Sequence, residues 1–284
     1  MKRSPVLIYT LCMLAWLTSS LSQAEQPQTP LSLQLWSVKD ALREDFEGTL
    51  DQIAAMGFEG VEFAGDYGPY ANNPAGLRQR LQNLGLAVSG VHVGLNQLQG
   101  EQGEKNLAFF KALGTELVIV PWDERAWNAD HIVDLIADLT SLNSRLAEQQ
   151  LRFGFHNHQY EFGAFQQATF WDYLARHTPA DMVLQLDVGW VRFAGADPFE
   201  YIRRYAGRTL SAHLKIVPQD GDGLSPIIGR NQYDWAALVQ ALQTVGKSQW
   251  LVLEQEVYPE DVKPLAAVKL SLQGLRAQLA LARH

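Results

Sequence analysis

The sequence alternates short apolar runs with longer amphipathic segments from residue 31 onward, and this alternation restricts the fold more than any other feature. Eight of the short runs have the length and the aliphatic and aromatic content of buried strands. They cover residues 31–36, 60–63, 86–92, 116–121, 151–156, 182–187, 209–214 and 249–254. The segments between them have the apolar spacing of helices. Glycine follows four of these predicted helices, as expected for C-caps, at Gly57, Gly85, Gly114 and Gly246.

Eight strands separated by helical crossovers can close into a (β/α)8 barrel or spread into an open doubly wound sheet. The first predicted strand is not followed by a G-x-G-x-x-G turn, which removes the main support for a dinucleotide-binding sheet. No Pro/Ser-rich linker interrupts the middle of the chain, so nothing indicates a second domain. The pattern therefore predicts a single α/β domain, a (β/α)8 barrel over residues 31–284.

The first 24 residues predict a leader that does not belong to the barrel. They combine a basic start, an apolar stretch over 6–17 and small residues before Ala24, which is typical of a secretory signal peptide cleaved after Ala24. Residues 25–30 would then be a linker. An uncleaved anchor is the alternative, but the apolar stretch is short for a bilayer span. We expect an exported protein, periplasmic or secreted, without a stable membrane span.

The charge and the cysteine content limit the partners that the protein can have. The formal net charge is −8, and an acidic protein is a poor match for nucleic acid or for anionic membranes. The single cysteine, Cys12, lies in the predicted leader, so the mature chain would have no disulfides. A chain of this length can be stabilised by one large core without them. The sequence leaves the oligomeric state open.

The predicted strands end in residues that carry chemistry. The carboxyl ends of all strands in such a barrel meet at one rim, where catalysis takes place. The strand-terminal residues are Trp36, Glu62, His92, Trp122, His156 followed by His158, Asp187, His213 and Glu254. Packing alone does not require carboxylates and imidazoles at one point, and unpaired buried charge there would be strongly destabilising. The rim is therefore predicted to be a functional site.

Four of these residues form a candidate metal site because they end four consecutive predicted strands. They are His156, Asp187, His213 and Glu254. Two imidazoles and two carboxylates suit Mn²⁺, Co²⁺, Zn²⁺ or Fe²⁺ better than Mg²⁺ or Ca²⁺, which prefer shells made of oxygen. We predict one divalent metal ion there. A salt-bridged rim without a metal is the alternative.

Several stretches give nearly the whole mature chain a resemblance to a known superfamily. They are QLWSVKDAL, FHNHQYEF, LQLDVGWVRFAGADP, HLK and LEQE, of which FHNH and LDVGW together are the most specific. The chain resembles the xylose isomerase-like TIM barrels, the sugar isomerase/epimerase superfamily that also contains endonuclease IV. The resemblance implies the same four metal positions. It also implies that Glu62, His92 and Lys215 face the substrate, with Trp190 at a position that is often histidine.

One departure from the resemblance bears on the reaction. Ketose 3-epimerases of the superfamily carry a glutamate at the metal position of the fifth strand, where this chain has His156. Epimerisation removes a proton from one face and delivers one to the other, so His158 or Glu161 would have to act in its place. The HLKD tetrad of relatives also ends in Ile216 here. An elimination makes looser demands on such a pair.

The remaining predicted roles concern proton transfer and substrate contact. The metal would hold a carbonyl and a neighbouring hydroxyl of a sugar and acidify the adjacent C–H. Glu254 would be a ligand, and the sequence leaves open whether it is also the base. His158 would be a proton-transfer or supporting group, and Lys215 would be the partner of the oxyanion or a solvated lysine of the rim. Substrate-binding residues would be Trp36, Glu62, His92, Trp190 and Glu256.

The sequence therefore predicts a metal-dependent sugar isomerase or epimerase that abstracts a proton next to a carbonyl of a sugar or keto-sugar. The first alternative is a 3-keto-glycoside lyase or sugar dehydratase that uses the same enolate. The second is an exported sugar-binding protein without catalysis, which would not need a four-ligand metal. In each case the partner is a small carbohydrate, which the sequence does not name.

Overall fold

The structure is a computed structural model that describes residues 29–219, 221 and 223–281. Eight parallel strands close into one barrel, which confirms the predicted fold. They are β1 (Leu31–Gln34), β2 (Gly60–Phe63), β3 (Ala87–His92), β4 (Leu117–Val120), β5 (Arg152–His156), β8 (Val183–Asp187), β9 (Ser211–Leu214) and β10 (Trp250–Leu253). Each pairs with the next, and β1 pairs with both β2 and β10, which closes the ring. The predicted leader lies outside the described residues.

A two-stranded antiparallel hairpin lies outside the barrel, formed by β6 (Ala164–Phe165) and β7 (Ala168–Thr169). The α-helices of the described chain are α1 (Lys39–Glu44), α2 (Phe46–Met56), α3 (Pro74–Asn83), α4 (Gly100–Leu113), α5 (Ile132–Glu148), α6 (Phe170–His177), α7 (Val188–Phe193), α8 (Pro198–Arg204), α9 (Trp235–Ala241) and α10 (Pro264–Leu281). Short 3-10 turns cover Leu35–Val38, Gly68–Tyr70, Leu95–Leu98, Glu124–Trp127 and Tyr160–Phe162. Among the residues described, no helix is both long and apolar enough for a membrane span.

The helix ends follow the sequence signals with one exception. Gly57 and Gly114 take the left-handed conformation after α2 and α4, with φ of 92° and 94°. Gly246 was predicted to do the same, and this prediction is wrong. Helix α9 continues into a π-helical turn over Leu242–Gly246, so the left-handed position moves one residue on, to Lys247 with φ of 61°.

The alternation of side chains along the strands separates an apolar outer face from a polar interior. Phe155 of β5 packs against Trp171 of α6, with ring centroids 6.5 Å apart, so it points outward. Its neighbour His156 consequently points into the barrel. The register of β8 and β9 sets Asp187 beside His213, also inside. The interior near the carboxyl ends is therefore polar, although its residues are buried.

Candidate active site

The four predicted metal ligands lie together at the carboxyl end of the barrel interior. His156, Asp187, His213 and Glu254 are all buried, and each offers one ligand atom within 4.8 Å of the other three. They come from four neighbouring strands, β5, β8, β9 and β10. We call these four residues the ligand cluster.

Gln185 fixes the orientation and the tautomer of His156. The amide Nε2 of Gln185 donates to Glu62 Oε2 at 2.7 Å, so the amide oxygen must face the other way and accept. That oxygen lies 3.0 Å from His156 Nδ1 and 2.7 Å from His92 Nε2. His156 therefore carries its hydrogen on Nδ1. Its Nε2 lone pair is left for the ligand cluster, where it lies 3.7 Å from Asp187 Oδ2.

Asp187 is held in place by both its side chain and its backbone. Its Oδ1 accepts the backbone N–H of Trp190 at 3.0 Å and so caps the first turn of α7, which leaves Oδ2 facing the ligand cluster. The Asn157 side chain accepts the Asp187 N–H at 2.9 Å and donates to the Asp187 carbonyl at 3.2 Å. Asn157 thus ties β5 to β8 between the two histidines of the FHNH sequence.

His213 is held between two carboxylates. Its Nε2 lies 2.6 Å from Glu62 Oε1, and its Nδ1 lies 2.9 Å from Glu254 Oε2 and 3.9 Å from Asp187 Oδ2. Burial alone would lower the pKa of His213, but the charges of Glu62 and Glu254 outweigh it and raise that pKa to about 10. Without a metal, His213 is therefore an imidazolium.

The donor set fits a divalent transition metal. Bonds of zinc length in a tetrahedral site put ligand atoms about 3.3–3.6 Å apart, and the separations of 2.9, 3.7 and 3.9 Å within the ligand cluster bracket this range. Each histidine bonds through its second nitrogen to Gln185 or to Glu62, the arrangement that orients metal-binding imidazoles. The carboxylate oxygen Asp187 Oδ2 accepts no hydrogen bond within the described residues.

Lys215 lies next to the ligand cluster as a fixed positive charge. Its Nζ is 2.6 Å from Glu256 Oε2, 2.8 Å from Glu254 Oε2 and 2.9 Å from Asp187 Oδ2, the last an ion pair without hydrogen-bond geometry. Burial by itself would lower the pKa of Lys215, but the three carboxylates raise it above its ordinary value. The ammonium therefore stays charged and offsets the carboxylates around it.

The two carboxylates of the ligand cluster respond differently to the same burial. Burial raises the pKa of Asp187 to about 6 against the attraction of Lys215. Burial acts on Glu254 in the same direction, but Lys215 and His213 hold the pKa of Glu254 well below its ordinary value. Glu254 is thus the ionised partner of both cations, and Asp187 is the carboxylate with the least compensated charge.

His158 and Trp190 border the ligand cluster and carry polar atoms without partners. His158 Nδ1 and Trp190 Nε1 are buried and have no hydrogen-bond partner among the described residues. The His158 ring is 5.1 Å from the His156 ring, and on its other side it contacts the exposed ring of Trp122 at 4.7 Å. Burial and the charge of Lys215 lower the pKa of His158 to about 3, so its ring is neutral.

The other predicted site residues lie at three depths along the barrel axis: beneath the ligand cluster, beside it and at the rim above it. Glu62 is fully buried beneath the imidazoles, and it bonds Gln34, Gln185 and His213. The His92 ring stacks on His213 at 5.3 Å. At the top of the rim, Trp36 is 41% exposed and Glu256 holds Lys215. Glu62 bonds Gln185 and the cluster residue His213, and its predicted contact with substrate stays a prediction.

Sequence reasoning missed Gln185, Gln34 and Asn157. Gln185 precedes Asp187 by two residues in the strand VLQLD, so the alternation places both in the interior. Gln34 donates to Glu62 Oε1 at 2.8 Å from the equivalent interior position of β1. Their spacing from the strand ends was a usable signal, but a neutral amide in a strand does not draw notice as a buried charge does.

A cavity of about 400 Å³ adjoins Lys215. It lies between α7 and residues 215–219, 224 and 231–235, and its volume is within the range of small-molecule sites. Its lining includes Gly189, Arg192, Phe193, Lys215, Tyr233 and Trp235. We call it the side cavity. None of the four members of the ligand cluster lines it.

The closed barrel with polar ligands at its carboxyl rim defines the class, a (β/α)8 barrel with a candidate metal centre. The family model for xylose isomerase-like TIM barrels matches residues 50–278, and the chain belongs to this family. This confirms the resemblance found in the sequence.

Three proteins are similar to this chain in sequence or in fold. Inosose dehydratase of Lacticaseibacillus casei is 24% identical over 258 residues, which cover 77% of this chain and 85% of the relative. A crystal structure of a sugar phosphate isomerase/epimerase from Parabacteroides distasonis superimposes with a TM-score of 0.69 at 21% identity, covering 93% of this chain and 98% of that one. The IolI protein with a bound zinc atom superimposes with a TM-score of 0.65 at 16% identity, covering 89% and 98%. The two structural matches are matches of fold.

Proposed function

We propose that the protein is a metal-dependent lyase that eliminates water from a cyclic keto-polyol or keto-sugar at the carbon next to the carbonyl. The observation that carries this proposal is that Lys215 and His158 both lie close to the Trp190 ring. Lys215 Nζ lies 4.9 Å from the centroid of the Trp190 ring, and the His158 ring lies 5.7 Å from the same ring. A substrate beside Trp190 would lie near both groups.

The ligand positions themselves favour an elimination over an epimerisation. Epimerisation needs a proton acceptor and a proton donor on opposite faces of the reacting carbon. The end of β5, three strands from Glu254 around the barrel, is occupied by His156 instead of a carboxylate. One nitrogen of His156 is bonded to Gln185 and the other faces the ligand cluster. Neither nitrogen is left to exchange a proton with substrate.

In the proposed reaction His158 handles the proton and Lys215 handles the charge. The buried, unpartnered Nδ1 of His158 takes the hydrogen from the carbon next to the carbonyl. The Lys215 ammonium faces the oxygen on which negative charge develops. His158 then returns the proton to the hydroxyl on the next carbon. The C–H and C–O bonds break, a C=C bond forms and water leaves, without a change in oxidation state. A divalent metal on the ligand cluster would polarise the carbonyl.

The comparison with inosose dehydratase supports this reading, because that relative matches over most of both chains and its name describes loss of water from a keto-polyol. Glu62 and Gln185 are positioning residues in this proposal, since both bond the imidazoles from below. Trp36 and Glu256 lie at the opening, where they could contact the hydroxyls and the apolar face of a sugar ring.

Isomerisation or epimerisation is the second candidate function. It is favoured by the placement of Glu254 and His158 on different parts of the wall, Glu254 after β10 and His158 after β5. If Glu254 exchanged a proton as well as holding metal, the two groups could serve two faces. Against this, Glu254 Oε2 is already bonded to Lys215 and His213.

The test is incubation of the metal-supplemented protein with an inosose and with a panel of keto-sugars in D2O, followed by mass spectrometry and proton NMR. The lyase gives a product lighter by one water with a new C=C bond. His158→Gln should abolish it, whereas the control His131→Gln, on a side chain 58% exposed, should not. A product that has lost no water and is one mass unit heavier, because it carries deuterium on carbon, would establish the epimerase instead. Binding without any turnover would identify a sugar-binding protein.

A further inference from the structure

Glu161 is a buried carboxyl group that takes no part in the reaction proposed above. It lies in the 3-10 turn Tyr160–Phe162, three residues after His158, and its side chain is fully buried. Its Oε2 accepts the backbone N–H of His158 at 2.9 Å, whereas its Oε1 has no hydrogen-bond partner among the described residues. A buried carboxyl oxygen without a partner destabilises the folded protein, so a chain that keeps one there indicates a role in function.

The two residues beside Glu161 are anchored by aromatic packing. The Tyr160 ring lies 5.0 Å from the Trp127 ring, and the Phe162 ring lies 5.0 Å from the Tyr201 ring. Glu161 is therefore held from both sides along the chain. Its carboxyl group reaches back three residues to a backbone N–H from this fixed point, as the acidic residue of a capping box does.

The hydrogen bond to Glu161 fixes the point at which the His158 side chain leaves the backbone. The His158 ring is packed by the rings of Trp122 at 4.7 Å, His156 at 5.1 Å and Trp190 at 5.7 Å. Trp122 is itself 42% exposed, so its contact is a weak restraint on the ring. The bond from Glu161 supplies the restraint from the backbone, and without it the N–H of His158 would lose its partner.

The contacts of Glu161 do not include the ring of His158. Glu161 Oε1 and His158 Nδ1 each lack a partner, so these two atoms do not bond each other, and Oε2 is engaged by the backbone. Burial raises the pKa of Glu161 to about 7 against the two backbone N–H groups that lower it, so the neutral acid is well populated near neutral pH. A neutral side chain of the same shape should therefore serve as well.

We infer that Glu161 is a positioning residue for the proposed reaction, whose carboxyl oxygen fixes the backbone of His158 and so directs the imidazole toward the substrate. The inference rests on the proposed function for the role of His158. It assigns Glu161 a part that requires a hydrogen-bond acceptor and no transfer of a proton.

The test compares Glu161→Gln with Glu161→Leu in the metal-supplemented full protein, with a substrate that the parent turns over. Glutamine keeps an acceptor oxygen for the N–H of His158, and leucine removes it at similar volume. Glu161→Gln should keep the kcat of the parent. Glu161→Leu should lower kcat about 100-fold, the loss expected for a misplaced reacting group, and should leave KM unchanged.

The control variant is Glu124→Leu, an exposed glutamate in the 3-10 turn Glu124–Trp127 that follows β4, and it should not change kcat. If Glu161→Leu does not fold, Glu161→Met takes its place, because the unbranched side chain of methionine adapts to irregular space. Equal loss of kcat in Glu161→Gln and the apolar variant would assign proton transfer to Glu161 and overturn the inference. An unchanged kcat in both would also overturn it.

A second measurement does not depend on turnover. Proton–carbon NMR of protein labelled in the histidine rings reports the position of the His158 ring, because the rings of Trp122 and Trp190 shift its resonance. The apolar variant at Glu161 should move this resonance and leave that of the exposed His131 in place, and Glu161→Gln should move neither. An unmoved His158 resonance in the apolar variant would contradict the inference. If no keto-polyol or keto-sugar reacts, the proposed function fails, and the NMR measurement still decides whether Glu161 positions His158.

Discussion

Gln185→Leu tests the network beneath the ligand cluster. The change keeps the approximate volume of the side chain but removes the amide that joins Glu62 to His156 and His92. A buried carboxylate oxygen and buried imidazole N–H groups then lose a partner. Each such loss costs about 1–3 kcal/mol, so the free energy of unfolding should fall by about 3–5 kcal/mol. Because His156 also loses the bond that sets its tautomer, metal affinity should fall about 10–100-fold.

The stability is measured by urea unfolding followed by circular dichroism, and the metal affinity by competition with a chelator. The matched control is Gln79→Leu on α3, whose amide makes one exposed hydrogen bond with Asn83. It should change stability by no more than about 0.5 kcal/mol. The reasoning is refuted if Gln185→Leu unfolds within about 1 kcal/mol of the parent and binds metal equally well.

Three further predictions concern protons, backbone spacing and processing. Because His213 is protonated up to about pH 10 without metal, binding of the metal should release one proton, and metal affinity should rise about tenfold per pH unit between pH 7 and 9. Calorimetry in buffers of different ionisation enthalpy measures the number of protons released. Metal binding without proton release would contradict the prediction. Gly189→Ala should displace Lys215, whose carbonyl oxygen would lie 2.8 Å from the new Cβ, and should lower kcat at least tenfold with an unchanged circular dichroism spectrum. Exported material should begin at Glu25 by N-terminal sequencing; a mature chain that retains the leader would contradict cleavage after Ala24.

The fold could be predicted because its signals are local. All eight barrel strands are short apolar runs bounded by polar segments, and the predicted and observed ranges differ by no more than two residues at either end. Helix α7 was not predicted, because it is six residues long and depends on Asp187 as its cap. The left-handed residue after α9 was misplaced because a π-helical turn cannot be read from apolar spacing.

The site could be predicted only as far as it consists of charges at strand ends. His156 and Asp187 stood out because a buried charge in an apolar run requires an explanation. Gln185 did not, since a neutral amide costs less to bury.

The metal content of the Asp187→Asn variant tests the central claim most directly. Asparagine keeps the oxygen that caps α7 and replaces Oδ2, the ligand atom, by an amide nitrogen that cannot bind a metal in the same way. Protein purified from metal-supplemented medium should contain about one Mn, Co, Zn or Fe per chain. Asp187→Asn should contain less than about a tenth of that at unchanged circular dichroism, while Asp134→Asn, an exposed control, should match the parent. Full metal content in Asp187→Asn, or an active parent protein without metal, would contradict the account.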